Sequence, residues 1–177
     1  MKHNQQHICI DLETLGSNPQ SPIIQIGAVK FNGDGIYDWF NVNINYEQFY
    51  PGLVCDYSTI MWWLKQSDEA RRALSEDGVW LYKGLIQLFD WIGNVEDYLY
   101  WCHATFDAPI LKSSMLTVKL DSEFQIPYHN WRDVRTIVDL FDVQIEDTGK
   151  VKHVAVNDAE YEALQVLEGL RKLRELS

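Results

Sequence analysis

His7–Glu13 reads HICIDLE, and its alternation decides the fold class. Ile8, Ile10 and Leu12 point to one side of an extended chain, while Cys9, Asp11 and Glu13 point to the other. The pattern predicts an interior strand that carries two carboxylates on one face. TLGSNPQSP (14–22) follows, with the Gly, Pro and Ser of a loop. Ile23–Phe31 (IIQIGAVKF) reads as a nearly continuous buried strand. NGDG at Asn32–Gly35 marks a hairpin turn, and Tyr37–Ile44 returns as a third strand.

Helical spacing then takes over. Ser58–Lys65 and Asp68–Leu74 read as two short helices broken near Gln66–Ser67. Leu81, Leu85, Leu88, Phe89 and Ile92 fall on one helical stripe. Tyr98–Cys102 is a short strand, and Pro109 suits the first turn of a helix running toward Met115. Residues 117–131 are mostly loop, with a short strand near Trp131, and Val134, Ile137, Val138 and Phe141 make another helical face. Asp158–Leu176 is the longest helix, lined by Ala163, Val166, Leu167, Leu170 and Leu173, with Asn157 and Glu160 resembling a capping box. Without repeats or linkers, residues 1–177 read as a single α/β domain with a mixed central sheet.

Composition sets the bounds. The 177 residues, 46% of them hydrophobic, can build one real core but not two full-sized ones. Aromatics at 13% exclude disorder as the main state. No apolar run reaches the roughly 18–20 residues of a membrane span, and MKHNQQHICIDLE is no signal peptide. Cys9, Cys55 and Cys102 are odd in number and lack CxxC spacing, which disfavours a disulfide framework and points to a reducing cytoplasm. The net charge of −11 disfavours a protein that coats duplexes by neutralising phosphates. It leaves open an enzyme whose carboxylates hold the divalent cations that meet phosphates.

Asp11 and Glu13 are the first candidate chemistry. At i and i+2 of a strand they share a face, roughly 6.5–7 Å apart at Cα. In an apolar strand such charges are costly unless paired or bound to a cation, and hard oxygens select Mg²⁺ or Mn²⁺ over zinc. Two side chains solvated or salt-bridged at a fraying strand end are the bland alternative. Asp107 and Asp158 each open a helix, where the dipole favours a carboxylate regardless of function. Neither is informative by itself.

Their order is informative. IDLETLG, TFDAPIL and HVAVNDA resemble, in sequence, the three motifs of the DEDDh exonucleases. The family's carboxylates match Asp11, Glu13, Asp107 and Asp158, and its catalytic His matches His153. IIQIGAVKF also resembles the family's second strand. STIMWWLKQSDEARRAL and NWRDVRTIVDL resemble its short prophage and mycobacterial branch.

The resemblance implies a ribonuclease H-like fold, with a mixed five-stranded sheet flanked by helices. It implies a 3′→5′ exonuclease that releases nucleoside 5′-monophosphates from a free 3′ end of single-stranded DNA or RNA. It implies two divalent ions, Mg²⁺ or Mn²⁺, held by Asp11, Glu13 and Asp158 and by Asp11 with Asp107 acting largely through water. His153 would be the general base. Backbone at Thr14, Leu15 and Gly16 would meet the terminal nucleotide, with the Leu15 side chain as a wedge between bases. His103 and Phe106 would lie beside the substrate. Family members are commonly dimers, which makes a homodimer one expectation.

Two departures touch nucleotide contact rather than metal binding: His103 stands where Asn is frequent, and Gln25 where Glu is common. His3, His7 and His129 read as structural or solvated. Trp62 and Trp63 could stack on bases, but neighbours on a helix cannot both face one ligand, so at least one belongs to the core. The alternatives from other classes are a catalytically weak nucleic-acid-binding module and a structural metal-binding protein.

Overall fold

In the computed structural model, which describes residues 5–46, 50–74 and 77–176, both faces of the first strand are covered. Strand β1 (Gln6–Thr14) sends Ile8, Ile10 and Leu12 into one core and Cys9 into a second. It pairs antiparallel with β2 (Ile23–Asn32), which pairs antiparallel with β3 (Gly35–Asn45) through the NGDG turn. Helices α1 (Tyr57–Trp63) and α2 (Asp68–Leu74) follow, then β4 (Val79–Trp80) and α3 (Leu81–Ile92). The chain continues through β5 (Tyr98–Cys102), α4 (Asp107–Thr117), β6 (Trp131–Asp133), α5 (Val134–Phe141) and α6 (Ala155–Glu175).

The sheet order is β4-β3-β2-β1-β5-β6. Strands β5 and β6 run parallel to β1, so the sheet is mixed, as expected. It has six strands rather than five. The sixth, β4, is only two residues long and pairs with Ile44 and Asn45 at the sheet edge. So short a strand carries no periodicity for sequence to reveal.

The expected stripe Leu81, Leu85, Leu88, Phe89 and Ile92 is the buried face of α3 and fills the first core. Fully burying such side chains contributes about 1.5–3 kcal/mol each. On the opposite face, Ala163, Val166 and Leu170 of α6 pack with Val134 and Ile137 of α5 against Cys9, Val29 and Trp101.

Helix α6 begins at Ala155, not Asp158, and the Asn157–Glu160 capping box does not form. The N-cap is Val154. Asn157 Nδ2 donates to the Val151 carbonyl instead, while Glu160 accepts from Trp39 Nε1 and Lys150 Nζ. The cap comes from a distant strand: Gln25 Oε1 accepts the Ala155 N–H at 2.7 Å, and Gln25 Nε2 donates to Asn43. The helix start also lies directly on Gly27, where a Cβ would meet the Ala155 carbonyl carbon at 2.0 Å. Gln25 is thus a structural residue, 1% exposed.

Candidate active site

Strand β5 pairs with β1 only as far as Cys9, so the end of β1 beyond it needs other partners. Asp107, the first residue of α4, supplies one. Its Oδ1 accepts the Leu12 N–H at 3.2 Å and its Oδ2 accepts the His103 N–H at 2.9 Å. The side chain is therefore anchored between the β1 end and the turn after β5. Asp11 and Glu13 sit opposite Gly27 and Gln25 in the sheet, under the start of α6. Asp158, in the first turn of that helix, accepts the His153 N–H through Oδ2 at 2.7 Å.

That bond holds His153 in the left-handed region at φ 61°, a conformation costly for a residue with a Cβ and typical of functional positions. Its ring stands edge-on to Trp62, centroids 4.7 Å apart. One ligand atom each from Glu13, His153 and Asp158 lies within 4.8 Å of the others.

These groups line a pocket of about 480 Å³ that also includes Asp11, Thr14, Gly16, Trp62, Trp63, His103, Phe106 and Glu162. Two expected residues do not line it. Asp107, 1% exposed, lies behind the wall with both oxygens on backbone N–H groups. Leu15 is half-buried, its backbone tied to Pro22 and Asp56. The two tryptophans divide as the helix requires: Trp63 is buried and donates Nε1–H to the Thr14 carbonyl, whereas Trp62 is exposed on the pocket.

The carboxylates repel one another in a poorly hydrated place. Burial first, then Asp107, Glu162, Glu13 and Asp158, pushes the Asp11 pKa well above its ordinary value. Burial, then Asp158 and Asp107, raises Glu13 as well. Burial raises Asp107, tempered by the backbone N–H groups it accepts and by Arg135, and raises Asp158, tempered by the His153 N–H and by the nearby His153 and Lys152 side chains. Among the described residues, the side-chain carboxylates of Asp11 and Glu13 take no hydrogen bond from the protein, and no Lys or Arg forms an ion pair with any of the four expected carboxylates. Hard oxygen donors gathered without a direct ion pair suit a divalent cation.

His7, by contrast, takes a structural place. His7 is buried in β1 and accepts from Trp101 Nε1 at 3.0 Å; burial lowers its pKa to about 4, so it stays neutral. His129 is exposed in a short turn, and His3 lies outside the described residues.

Sequence reading missed two residues of this region. Glu162 is buried beside the pocket one helical turn after Asp158, an i,i+4 spacing that could have flagged it. Asp56 gathers the 15–22 loop by accepting from Ser17 N, Ser17 Oγ and Asn18 Nδ2. Those partners lie nearly 40 positions away in the chain, and no local pattern announces them.

This mixed sheet, flanked by helices on both faces, is the ribonuclease H-like fold of the DEDDh exonucleases. The nuclease domain of 3′hExo, a DEDDh member bound to rAMP, matches with TM-score 0.67 at 15% identity, over 98% of this chain and 94% of that one. E. coli ExoI in complex with single-stranded DNA matches with TM-score 0.64 at 12% identity, over 97% of this chain and 41% of that one. The family described as 3′-5′ exoribonuclease Rv2179c-like domain matches residues 6–170, and the chain belongs to it. It is also similar to the exodeoxyribonuclease of Enterobacteria phage T4, 24% identical over 202 residues, 92% of this chain and 88% of the phage protein. The chain is thus a nuclease of the 3′-5′ exonuclease type. Among the described residues, no helix is long and apolar enough to cross a membrane.

Proposed function

We propose that residues 1–177 act as one exonuclease domain that hydrolyses single-stranded DNA or RNA from a free 3′ end, releasing nucleoside 5′-monophosphates. The observation that carries this reading is the placement of His153 with Glu13 and Asp158 in one pocket with Asp11, among carboxylates that form no ion pair with Lys or Arg in the described residues. Asp11, Glu13 and Asp158, with Asp107 behind them, would hold two divalent cations, Mg²⁺ or Mn²⁺. When bound, these neutralise the carboxylates and the phosphate and ease ionisation of the attacking water.

The chain's own residues do the rest. His153 accepts the proton of the attacking water at an imidazole nitrogen. Asp158 fixes the backbone of His153, and Trp62 limits the swing of its ring. Attack forms a bond from the water oxygen to phosphorus and breaks the bond to the 3′ oxygen. The leaving 3′ oxygen takes a proton from solvent water, so the strand keeps a 3′ hydroxyl, and the mononucleotide carries the 5′ phosphate away. Thr14 and Gly16, held by Trp63 and the Asp56 loop, form the pocket wall that receives the terminal nucleotide.

Matched single-stranded DNA and RNA with Mn²⁺ test the reading. One-nucleotide shortening from the 3′ end supports it; binding without cleavage would instead favour a binding module of the same fold. The family description names RNA and the phage relative DNA, so both strands belong in the assay.

A further inference from the structure

Glu162 is a carboxylate at the pocket that the proposed chemistry leaves unused. It is 6% exposed on α6, and both its oxygens are already engaged. Oε2 accepts from the Cys9 thiol at 3.5 Å, and Oε1 lies 3.2 Å from His103 Nε2. Asp11 and Glu13 differ, since their oxygens are free of protein hydrogen bonds among the described residues. A buried carboxylate with one oxygen on a thiol and the other on an imidazole is well placed to orient that imidazole.

His103 is the natural beneficiary. It follows β5, lines the pocket, and gives its backbone N–H to Asp107. Its Nε2 edge is taken by Glu162, so the Nδ1 edge and the ring faces remain for a ligand. We propose that Glu162 is a positioning residue for substrate binding: it fixes the His103 imidazole, and His103 contacts the 3′-terminal segment of the strand. The inference rests on the function proposed above and deepens it. A ring oriented beforehand loses less conformational freedom when the strand arrives, so the benefit belongs to binding rather than to the bond-breaking step.

The test uses the full chain with Mn²⁺ and compares wild type, H103A, E162A, E162Q and the H103A/E162A double variant. The readouts are kcat and KM on a single-stranded oligonucleotide, Kd for the same strand ending in a 3′-terminal phosphorothioate, and Mn²⁺ affinity by calorimetry. H103A and E162A should each raise KM and Kd by about 10-fold, the loss of one well-placed contact, with kcat changing far less. The double variant should be no worse than either single one, because both remove the same contact. E162Q should recover most of the binding, since its carbonyl can still accept from Nε2–H. Mn²⁺ affinity should be unchanged throughout.

Loss of Mn²⁺ affinity in E162A without rescue by Gln would make Glu162 a metal ligand and overturn the proposal. Additive losses in the double variant, or an unchanged Kd in H103A, would overturn it too. H103A alters a half-buried side chain, so that last outcome is decisive even if E162A does not fold. A wild type that binds the strand but never cuts it defeats the proposed function and leaves the binding comparison decisive. A wild type that neither binds nor cuts defeats both.

Discussion

Replacing Asp11 by Asn exchanges a carboxylate for an amide of equal size, at the point where β1 faces Glu13, Asp107, Asp158 and Glu162. Burial and those neighbours raise the Asp11 pKa well above 3.8. A raised carboxyl pKa means that the folded chain holds a proton which the unfolded chain releases. The resulting penalty is absent below about pH 4, where both states are protonated, and grows as the pH climbs toward the folded value. The amide of the variant needs no proton. In EDTA at pH 7.5 the variant should therefore be more stable than wild type, with a higher Tm and a later urea midpoint. At pH 4.5 the two should nearly coincide. With Mn²⁺ at about 100 times its Kd, wild type should gain about 2.7 kcal/mol and the variant far less. Thermal and urea unfolding at both pH values, with and without Mn²⁺, make the assay. A variant less stable than wild type in EDTA at pH 7.5, or one that keeps the full Mn²⁺ gain, would refute the reasoning.

His153→Asn, a replacement that tolerates the left-handed backbone, should lower kcat by about 10²–10⁴-fold with Mn²⁺ affinity unchanged in calorimetry. Asp158→Asn should keep the hydrogen bond from the His153 N–H, and so keep Tm near that of wild type in EDTA, yet lose activity; Asp158→Ala should also lose about 1 kcal/mol of stability in urea titrations. Gly27→Ala forces a Cβ into the Ala155 backbone, and unfolding curves should show a loss above about 3 kcal/mol, because neither backbone can yield cheaply. Asp56→Ala releases the Ser17 and Asn18 contacts of the loop, and steady-state kinetics should show a higher KM with kcat little changed.

What the sequence made legible was local. The alternation of His7–Glu13, the Tyr98–Cys102 strand and the α3 stripe are set by side-chain period, and the structure places them where that period puts them. Asp11, Glu13 and Asp158 could be read as a group because their order resembles the motifs of a known family; in the fold, the later half of the interior strand β1 lies under the start of α6. The rest depends on contacts between distant segments. Helix α6 starts three residues early because Gln25, from the second strand, satisfies its first amide. Strand β4 exists only as an edge partner of β3. Glu162 gains meaning only when Cys9 and His103 fold onto it. Such partners leave no trace in a local pattern.

The central claim is that this pocket removes nucleotides one at a time from a free 3′ end with divalent cations present. A time course on a 5′-labelled single-stranded oligonucleotide, with Mn²⁺ and with EDTA, tests it most directly when the released mononucleotides are identified by mass spectrometry. The expected result is a ladder shortening by single nucleotides, 5′-phosphorylated mononucleotides as product, and no reaction in EDTA or on a strand ending in a 3′ phosphate. Internal cuts, cleavage of a circular strand, nucleoside 3′-monophosphates as product, or equal rates in EDTA would contradict it.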